Sequence, residues 1–251
     1  MLIKNLLDIM KIKYFNYLIL SSILFLSCNT SRDLKEVKKS KDPIVIDGFY
    51  NESAWNDAEW HDINNLWLGK PFTKDDFEGR YKLTWDDEAL YLLVEIKDDV
   101  LVNKFSNPLE RWWDEDCVEI FIDEDNSGGD HQFNHNAFAY HVDLEGNVVD
   151  IIAKDTPKLF NDHVISERVT LDNTSYWEFK ILLFNDSFTY NNLDARVKPV
   201  ANKKIGFALA YCDNDTSEHR ENFVGSVFVE GPDRDRGWKD AGIFETIVLT
   251  E

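Results

Sequence analysis

Positive charge is scarce in this sequence. Its 251 residues include 27 lysines and arginines against 47 aspartates and glutamates, which gives a formal net charge of −20 at pH 7. Because so acidic a surface repels phosphate groups, the composition excludes nucleic acid from the expected partners and disfavours anionic lipid surfaces. A neutral ligand or a divalent cation is compatible with this charge.

Methionine and cysteine are also rare, with two and three residues respectively. Both methionines lie in the first ten residues, and only Cys117 and Cys212 follow the N-terminal segment described next. Two cysteines of an exported protein can form a disulfide. Both, however, lie in apolar strand-like segments, where buried free thiols are common. We expect free thiols, with a disulfide as the alternative.

A long apolar run occurs only once, near the N-terminus. Lys11 and Lys13 precede an apolar stretch at residues 14–28. The stretch is too short for a comfortable transmembrane helix, and a charged start before a short apolar run is typical of a secretory signal peptide. Met10 begins a complete signal of ordinary proportions, so the segment predicts export.

The end of this run resembles a bacterial lipobox, in which the cysteine of Leu26-Ser27-Cys28 is lipidated. The sequence thus predicts a lipoprotein signal at residues 1–28 ending at a lipidated Cys28, a polar tether at residues 29–41 and a domain at residues 42–251. The protein would be lipid-anchored in the bacterial cell envelope, at the outer membrane, facing the periplasm or the surface. A plain signal peptide with an incidental cysteine is the alternative.

Helical periodicity is missing after Cys28, since no segment of ten or more residues repeats apolar side chains at the helix period. Short alternating segments bounded by turn residues predict strands instead. The clearest hairpins are residues 79–98, turning at 86–89, and residues 137–152, turning at 145–147. The pattern predicts one all-β domain, an antiparallel β-sandwich of jelly-roll type.

One predicted strand carries unusual aromatic surface and charge, in the stretch ERWWDEDCVEIFIDED at residues 110–125. Period-two alternation places Trp113 and Glu119 on one face, with the valine and isoleucines of the strand on the opposite, core-facing side. Trp112 would then point away from Trp113, so only one of them can be an exposed platform. An aromatic ring fits the apolar face of a pyranose, and a carboxylate beside it can bind hydroxyls.

Six sequence blocks in a fixed order carry a family likeness. They are IDGFYNESAW at 46–55, RYKLTWDDEALYLLVEIKDD at 80–99, WWDEDCVEIFIDED at 112–125, YWEFKILL at 176–183, GFALAYCDND at 206–215 and GWKDAGIFETIVL at 237–249. Together they resemble carbohydrate-binding module family 9, with its DOMON-like sandwich. The resemblance implies non-catalytic binding of a mono- or oligosaccharide, or of a polysaccharide chain end, as an accessory to glycoside hydrolases acting nearby.

The resemblance also implies site residues. Members of this family hold a sugar between two tryptophans, which here correspond to Trp113 and Trp238. The family uses a glutamate matching Glu119 for the sugar hydroxyls. An arginine in the loop after residues 206–215 is best matched by Arg220. We expect these four side chains to contact the ligand.

Other positions depart from the family pattern. His141 stands where the family has an arginine, Asp235 where it has an asparagine, and Ala210 where it has a glutamine. We take His141 and Asp235 as further candidate ligand contacts. Because half of the polar set differs, the resemblance leaves the identity of the sugar open.

An oxygen-rich loop at residues 123–130 suggests a metal. Asp123 and Asp125 have the spacing of an EF-hand loop, but its twelfth position is an asparagine rather than a glutamate, so this is not an EF-hand. Since the resemblance implies structural calcium, we expect calcium at these two residues, with a polar turn as the alternative. His131 and His135 lie four residues apart, but a zinc site needs more ligands.

Motifs of independent catalysis are missing, since the chain has no nucleophile elbow, phosphate-binding loop or zinc motif. Carboxylate pairs suited to a glycoside hydrolase are common among 47 acidic residues, so that reading remains an alternative to a non-enzymatic role. Haem, which some DOMON-like relatives bind with a methionine, would lack that ligand after signal cleavage. A surface lipoprotein whose tryptophans anchor a protein partner is the other alternative.

Overall fold

The computed structural model describes residues 34–154, 156–190 and 194–251. The strands are β1 Lys35–Lys38, β2 His61–Ile63, β3 Asn65–Leu68, β4 Phe77–Trp85, β5 Leu90–Asp98, β6 Cys117–Asp123, β7 Phe138–Asp143, β8 Val148–Ala153, β9 Thr156–Leu159, β10 Val164–Leu171, β11 Thr174–Ile181, β12 Leu183–Phe184, β13 Arg196–Val197, β14 Lys204–Asp213, β15 Asn222–Gly225 and β16 Glu245–Thr250. Three short 3-10 helices join them, at Ser53–Asn56, Arg236–Trp238 and Ala241–Ile243. Among the described residues, no helix is long and apolar enough to span a membrane.

Two sheets form a sandwich. In the first sheet the strand order is β1-β16-β14-β6-β7-β8-β9, and β15 pairs with both β14 and β3 beside this path. The second sheet has the order β10-β11-β5-β4-β2. Among these named strands, only β1 and β16 run parallel to each other. The predicted all-β antiparallel sandwich is confirmed.

Both predicted hairpins are present. Strands β4 and β5 pair from Phe77 opposite Asp98 to Trp85 opposite Leu90. Strands β7 and β8 turn at Gly146, whose φ of +83° suits a residue without a Cβ. The side chain of Asp143 accepts hydrogen bonds from the backbone amides of Glu145 and Asn147, each at 2.9 Å. Local turn chemistry therefore fixes these connections, as the sequence pattern indicated.

The main core lies between the sheets. Its largest fully buried side chains include Trp85, Trp177, Tyr81, Tyr140 and Tyr211. The valine and isoleucines of β6 face this core, as predicted, while Cys117 and Phe121 on the other side of the strand join a smaller apolar cluster. The outer face of the first sheet is therefore also partly covered, and the candidate site lies in the gap that remains.

Strand β1 corrects the predicted domain boundary. Residues 29–41 were expected to form a tether, but Lys35–Lys38 pair in register with Ile247 to Thr250 of β16. Val37 is 2% exposed, and the ammonium of Lys35 donates to the Tyr81 hydroxyl at 2.7 Å. A single buried valine and these polar contacts are enough to fix a short edge strand. The signal segment, Cys28 and residues 29–33 lie outside the described residues, so those predictions stay untested.

Candidate functional site

A cavity of about 310 Å³ opens on the outer side of the first sheet. Strands β6 and β7 supply its floor, and the loops before β6, before β7 and after β14 supply its walls. Its lining residues are Trp112, Trp113, Glu119, Phe133, His141, Ile151, Arg220, Phe223 and Trp238. Five of the six predicted ligand contacts thus come together, from segments far apart in sequence.

The sixth candidate, Asp235, lies one contact away from the cavity. One of its carboxylate oxygens is 3.8 Å from the Arg220 guanidinium. Arg220 also stacks on the ring of Phe223, 4.1 Å from the ring centroid. Its Nη1 atom lies 3.3 Å from the sulfur of Cys212. The predicted arginine is therefore held from three sides, with Asp235 as one of its partners.

The two predicted tryptophans form exposed edges of the cavity. Trp113 is 37% exposed and Trp238 is 36% exposed. Trp112 is buried and packs edge-on against Trp113, with 4.6 Å between the ring centroids. The expectation that the two neighbouring tryptophans face opposite ways is wrong, because β6 begins only at Cys117 and strand alternation does not reach them.

Glu119 and His141 face each other on the cavity floor. They are directly opposed on β6 and β7, and Oε2 of Glu119 lies 3.1 Å from Nε2 of His141. Burial by itself disfavours a charged imidazole, but the charge and hydrogen bond of Glu119 outweigh it and raise the pKa of His141 above its ordinary value. The Nδ1 atom of His141 donates to the carbonyl of Ala139 at 3.3 Å. A buried ion pair therefore presents both signs of charge to a ligand.

A carboxylate that was not predicted as a site residue connects two walls of the cavity. Asp114 is 2% exposed and accepts a hydrogen bond from the backbone amide of Arg220 at 3.1 Å. Its other oxygen accepts from Nε of Arg111 at 2.9 Å. The loop that carries Trp113 is thereby fastened to the loop that carries Arg220. Because several acidic residues flank Trp113, no local signal distinguished Asp114 from them.

Trp238 is positioned by its own short helix. Arg236 binds the carboxylate of Asp240 at 3.0 Å, and the ring of His131 is hydrogen-bonded to the carbonyl of Gly237 at 2.7 Å. A Cβ at Gly237 would lie 2.9 Å from the ring of Phe121, so only glycine allows this close approach. His131 therefore has a structural contact rather than the metal-binding role considered from its spacing.

The predicted calcium residues do lie together. Asp123 is 1% exposed, Asp125 is exposed, and burial followed by the contact with Asp125 raises the pKa of Asp123 to about 6. Asp123 accepts from the amide of Gly128 at 2.6 Å, and Asp125 accepts from the amide of Ser127 at 3.0 Å. In the part of the chain that the structure describes, no third acidic, histidine or cysteine ligand joins this pair. These contacts are those of a polar turn.

A second carboxylate cluster was missed altogether. Asp98, Asp116 and Asp213 are 2%, 0% and 4% exposed, and their ligand oxygens lie within 4.8 Å of one another. Burial is the main cause that raises their pKa values to about 6, about 9 and about 8 respectively. Neighbouring carboxylates add to it, with Asp98 acting on Asp116 and Asp213, and Asp215 acting on Asp98. Each residue sits at a strand end, and only the fold brings the three together. The sequence signal was the aspartate that ends or precedes each of three strands.

The hydrogen bonds of this cluster are unevenly shared. Asp98 accepts from the Tyr211 hydroxyl at 2.8 Å, and Asp116 accepts from the amides of Val102 at 2.6 Å and Asn214 at 2.8 Å. Among the described residues, no donor is hydrogen-bonded to the carboxylate of Asp213 and no cation pairs with any of the three. Oxygen ligands without a counter-charge fit a hard divalent cation such as calcium.

Known proteins share this architecture. Residues 46–251 match the family described as carbohydrate family 9 binding domain-like. The chain is also similar to endo-1,4-beta-xylanase A of Thermotoga neapolitana, with 38% identity over 82 residues, which are 33% of this chain and 7% of that protein. This chain therefore spans only a small part of the xylanase it resembles.

Solved structures show the same fold. One is a carbohydrate binding module family 9 from Caldicellulosiruptor kristjanssonii in complex with cellotriose, with a TM-score of 0.65, 24% identity, and coverage of 86% of this chain and 94% of that one. Another, from the same organism and in complex with glucose, has a TM-score of 0.63 at 24% identity over 86% and 96% of the two chains. The sandwich is thus the same.

Proposed function

This chain belongs to the carbohydrate family 9 binding domain-like family, and from that premise we propose that its cavity holds a carbohydrate without catalysing a reaction. One observation carries the proposal. Two partly exposed tryptophans, Trp113 and Trp238, border a floor that carries Glu119, His141 and Arg220. Such a combination suits a ring with an apolar face and a belt of hydroxyls.

The floor supports hydroxyl recognition. The carboxylate of Glu119 accepts hydrogen bonds and the guanidinium of Arg220 donates them. Both ring nitrogens of His141 are engaged, with Glu119 and with the carbonyl of Ala139, so this ring holds Glu119 in position. Each aromatic contact is worth about 0.5–1.5 kcal/mol beyond the buried area. Two such contacts and a few charge-assisted hydrogen bonds suit a dissociation constant in the micromolar range, about −8 kcal/mol. The cellotriose and glucose bound by the structural relatives make β-linked glucose oligomers the first ligands to test.

The carboxylates of the cavity support binding rather than hydrolysis. A glycoside hydrolase ordinarily needs two carboxyl groups facing the scissile bond. Among the described residues that line the cavity, Glu119 alone carries a carboxyl group, and it is paired with His141. Asp235 lies outside the lining and faces Arg220. A single carboxylate in an ion pair suits a ligand contact.

Calorimetric titration with glucose, cellotriose and xylo-oligosaccharides tests this proposal. We expect micromolar binding, with a loss of about tenfold or more in affinity for Trp113→Ala and for Trp238→Ala. Trp60→Ala is the matched control, because Trp60 packs under Arg80 on the other sheet, far from the cavity lining. Absence of binding across a broad sugar panel would favour a protein partner instead.

We propose further that a structural calcium ion is held by Asp98, Asp116 and Asp213, not at the predicted Asp123 and Asp125. The first group offers three buried carboxylates and the second only two, one of them exposed. A divalent cation there would neutralise charges that burial makes unfavourable. Because Asp116 precedes β6 closely, the ion would also brace the segment that carries Trp113.

We propose that the sandwich is displayed from a lipid anchor on the cell envelope, beside glycoside hydrolases that act on its ligand. The lipobox-like ending at Cys28 supports this location. Replacing Cys28 by serine should move the protein from the membrane fraction to the soluble fraction of the producing cell. Equal membrane association of the Cys28→Ser variant would contradict the anchor.

A further inference from the structure

Three different metal-ligating side chains meet beneath the cavity floor. The carboxylate of Glu119, the imidazole of His141 and the thiol of Cys212 each place one ligand atom within 4.8 Å of the other two. All three residues are buried, at 1%, 7% and 0% exposure. They lie on the adjacent strands β6, β7 and β14, so the sheet holds their backbones in a fixed arrangement.

The orientation of His141 is that of a metal ligand. Its Nδ1 atom donates to the carbonyl of Ala139 at 3.3 Å, which leaves Nε2 directed at the carboxylate of Glu119, 3.1 Å away. In the ion pair described above, a proton on Nε2 bridges the two groups, and a metal ion would bind by replacing that proton. Metal-binding histidines commonly donate their other ring N–H to a carbonyl in this way.

We propose that Glu119, His141 and Cys212 bind a zinc-class transition-metal ion whose fourth coordination position faces the cavity. Nitrogen, sulfur and carboxylate ligands in a set of three, with one open position, suit Zn²⁺. Tetrahedral bonds of about 2.0–2.3 Å place ligand atoms roughly 3.3–3.6 Å apart. Because the three ligand atoms lie within 4.8 Å of one another, closing the trio around an ion needs side-chain movements of about 1 Å.

Arg220 competes with the ion for the sulfur of Cys212. Its Nη1 atom is 3.3 Å from that sulfur, and its Nη2 atom is 3.8 Å from the carboxylate of Asp235. Metal binding would displace the guanidinium from the sulfur towards Asp235, where a counter-charge is already placed. Removal of this competitor should tighten metal binding, so Arg220→Gln is expected to bind the ion more strongly than the unaltered protein.

The inference uses the cavity of the proposed function but does not depend on sugar binding. The open coordination position faces the space where a sugar hydroxyl or a water molecule would lie. The oxygen-ligand cluster of Asp98, Asp116 and Asp213 contains no sulfur, so a thiolate-dependent signal separates the two metal proposals. Sugar titration and metal titration can therefore fail independently of each other.

Titration of the whole protein with Co²⁺ in the absence of sugar is the test. We expect one equivalent to produce a thiolate-to-cobalt charge-transfer absorption and the strong visible bands of a tetrahedral site, both reversed by Zn²⁺. Cys212→Ser should abolish the charge-transfer band, and His141→Gln should weaken binding about tenfold or more. Circular dichroism on each variant checks that the sandwich is retained.

Cys117→Ser is the matched control. Cys117 lies directly opposite Cys212 on the neighbouring strand, and its thiol is hydrogen-bonded to that of Cys212, but it is not part of the trio. The charge-transfer band should survive in this variant, because the sulfur of Cys212 is kept and serine can still hydrogen-bond to it. No charge-transfer band in the unaltered protein, or a band that survives Cys212→Ser, would overturn the site. If the cobalt bands appear but no sugar binds, the metal site is supported and the carbohydrate proposal is contradicted.

Discussion

At the scale of single residues, the site depends on side chains that hold other side chains in place. Asp114 joins the loop of Trp113 to the loop of Arg220, and Gly237 allows the short helix that carries Trp238 to approach the ring of Phe121 closely. Neither residue lines the cavity. The five candidate side chains that line the cavity could be predicted, because a family pattern marks them. Their supports could not, because a buried aspartate reads like the exposed acidic residues around it.

Buried histidines make the stability of the fold depend on pH. His135 is 9% exposed and packs against Phe138 and Phe188. Burial lowers its pKa to about 4, below the ordinary value of about 6.5. The fold therefore favours the neutral ring. The contribution of neutral His135 to the free energy of unfolding is complete above pH 6.5 and is lost as the pH falls from 6.5 towards 4.

We expect His135→Phe to reduce the loss of stability at acidic pH. The difference in unfolding free energy between pH 7 and pH 4 should shrink by on the order of 2 kcal/mol relative to the unaltered protein. Denaturant unfolding at both pH values measures it. Burial also lowers the pKa of His163 to about 4, and because burial is the main cause, most of the effect of His163 on stability remains in the variant. Identical pH slopes in the two proteins would show that His135 is not the titrating group.

At the scale of elements, the short strand β1 contributes more to the stability of the fold than its four residues suggest. Val37 is buried, and the strand pairs along four positions of β16. Burial of one valine side chain is worth about 1.5–3 kcal/mol. We expect a chain that begins at residue 42 to unfold at a lower temperature than one that begins at residue 34.

Point variants make the β1 prediction specific. Val37→Ala should lower the unfolding free energy by about 1.5–2 kcal/mol, from two buried methyl groups at about 0.8 kcal/mol each. Glu36→Ala is the control, since Glu36 is exposed on the same strand. Calorimetric melting compares the three proteins. Equal destabilisation by both substitutions would mean that burial of Val37 is not the cause.

The strands with regular alternation were predictable, and the irregular segments were not. Hairpins β4–β5 and β7–β8 have long alternating patterns and clear turn residues, so local chemistry identifies them. Strand β1, with the sequence KEVK, offers one apolar residue and reads as a linker. Residues 111–116 precede β6 as turns, with Arg111 at a φ of +50°, so strand alternation failed for Trp112 and Trp113.

At the scale of the whole molecule, three buried carboxyl groups meet where β5, β6 and β14 come together. Asp98, Asp116 and Asp213 have pKa values raised to about 6, 9 and 8, above the ordinary value of about 3.9. The metal-free fold therefore favours their protonated forms. Stability that is present below pH 4 is lost progressively as the pH rises through these values.

Calcium should remove this pH dependence. In a chelator we expect the melting temperature to fall between pH 5 and pH 9, and calcium at about 100 times its dissociation constant should restore about 2.7 kcal/mol. Asp213→Asn should abolish the calcium response, whereas Asp123→Asn should retain it. Thermal melts with chelator and with calcium measure both. If the calcium response is lost in Asp123→Asn instead, the calcium site lies in the loop at residues 123–130.

This cluster also marks the limit of what the sequence could indicate. Its three aspartates are separated by up to 115 positions along the chain, from 98 to 213, and only the pairing of β6 with β14 and their packing against β5 bring them together. Local patterns identify strands and turns. Contacts between strand ends depend on sheet order, which neither composition nor periodicity encodes.

If the chain is anchored at its N-terminus, as we propose, the parallel pairing of β1 with β16 has a mechanical consequence. Any pull from a polymer seated in the cavity would pass to the anchor through Lys35 at the start of β1. Tension along the strand loads its hydrogen bonds together in shear, whereas tension across it peels them one at a time. The force that the bound protein can bear would thus be limited by the hydrogen bonds of the four residues of β1 as well as by the contacts of the two tryptophans.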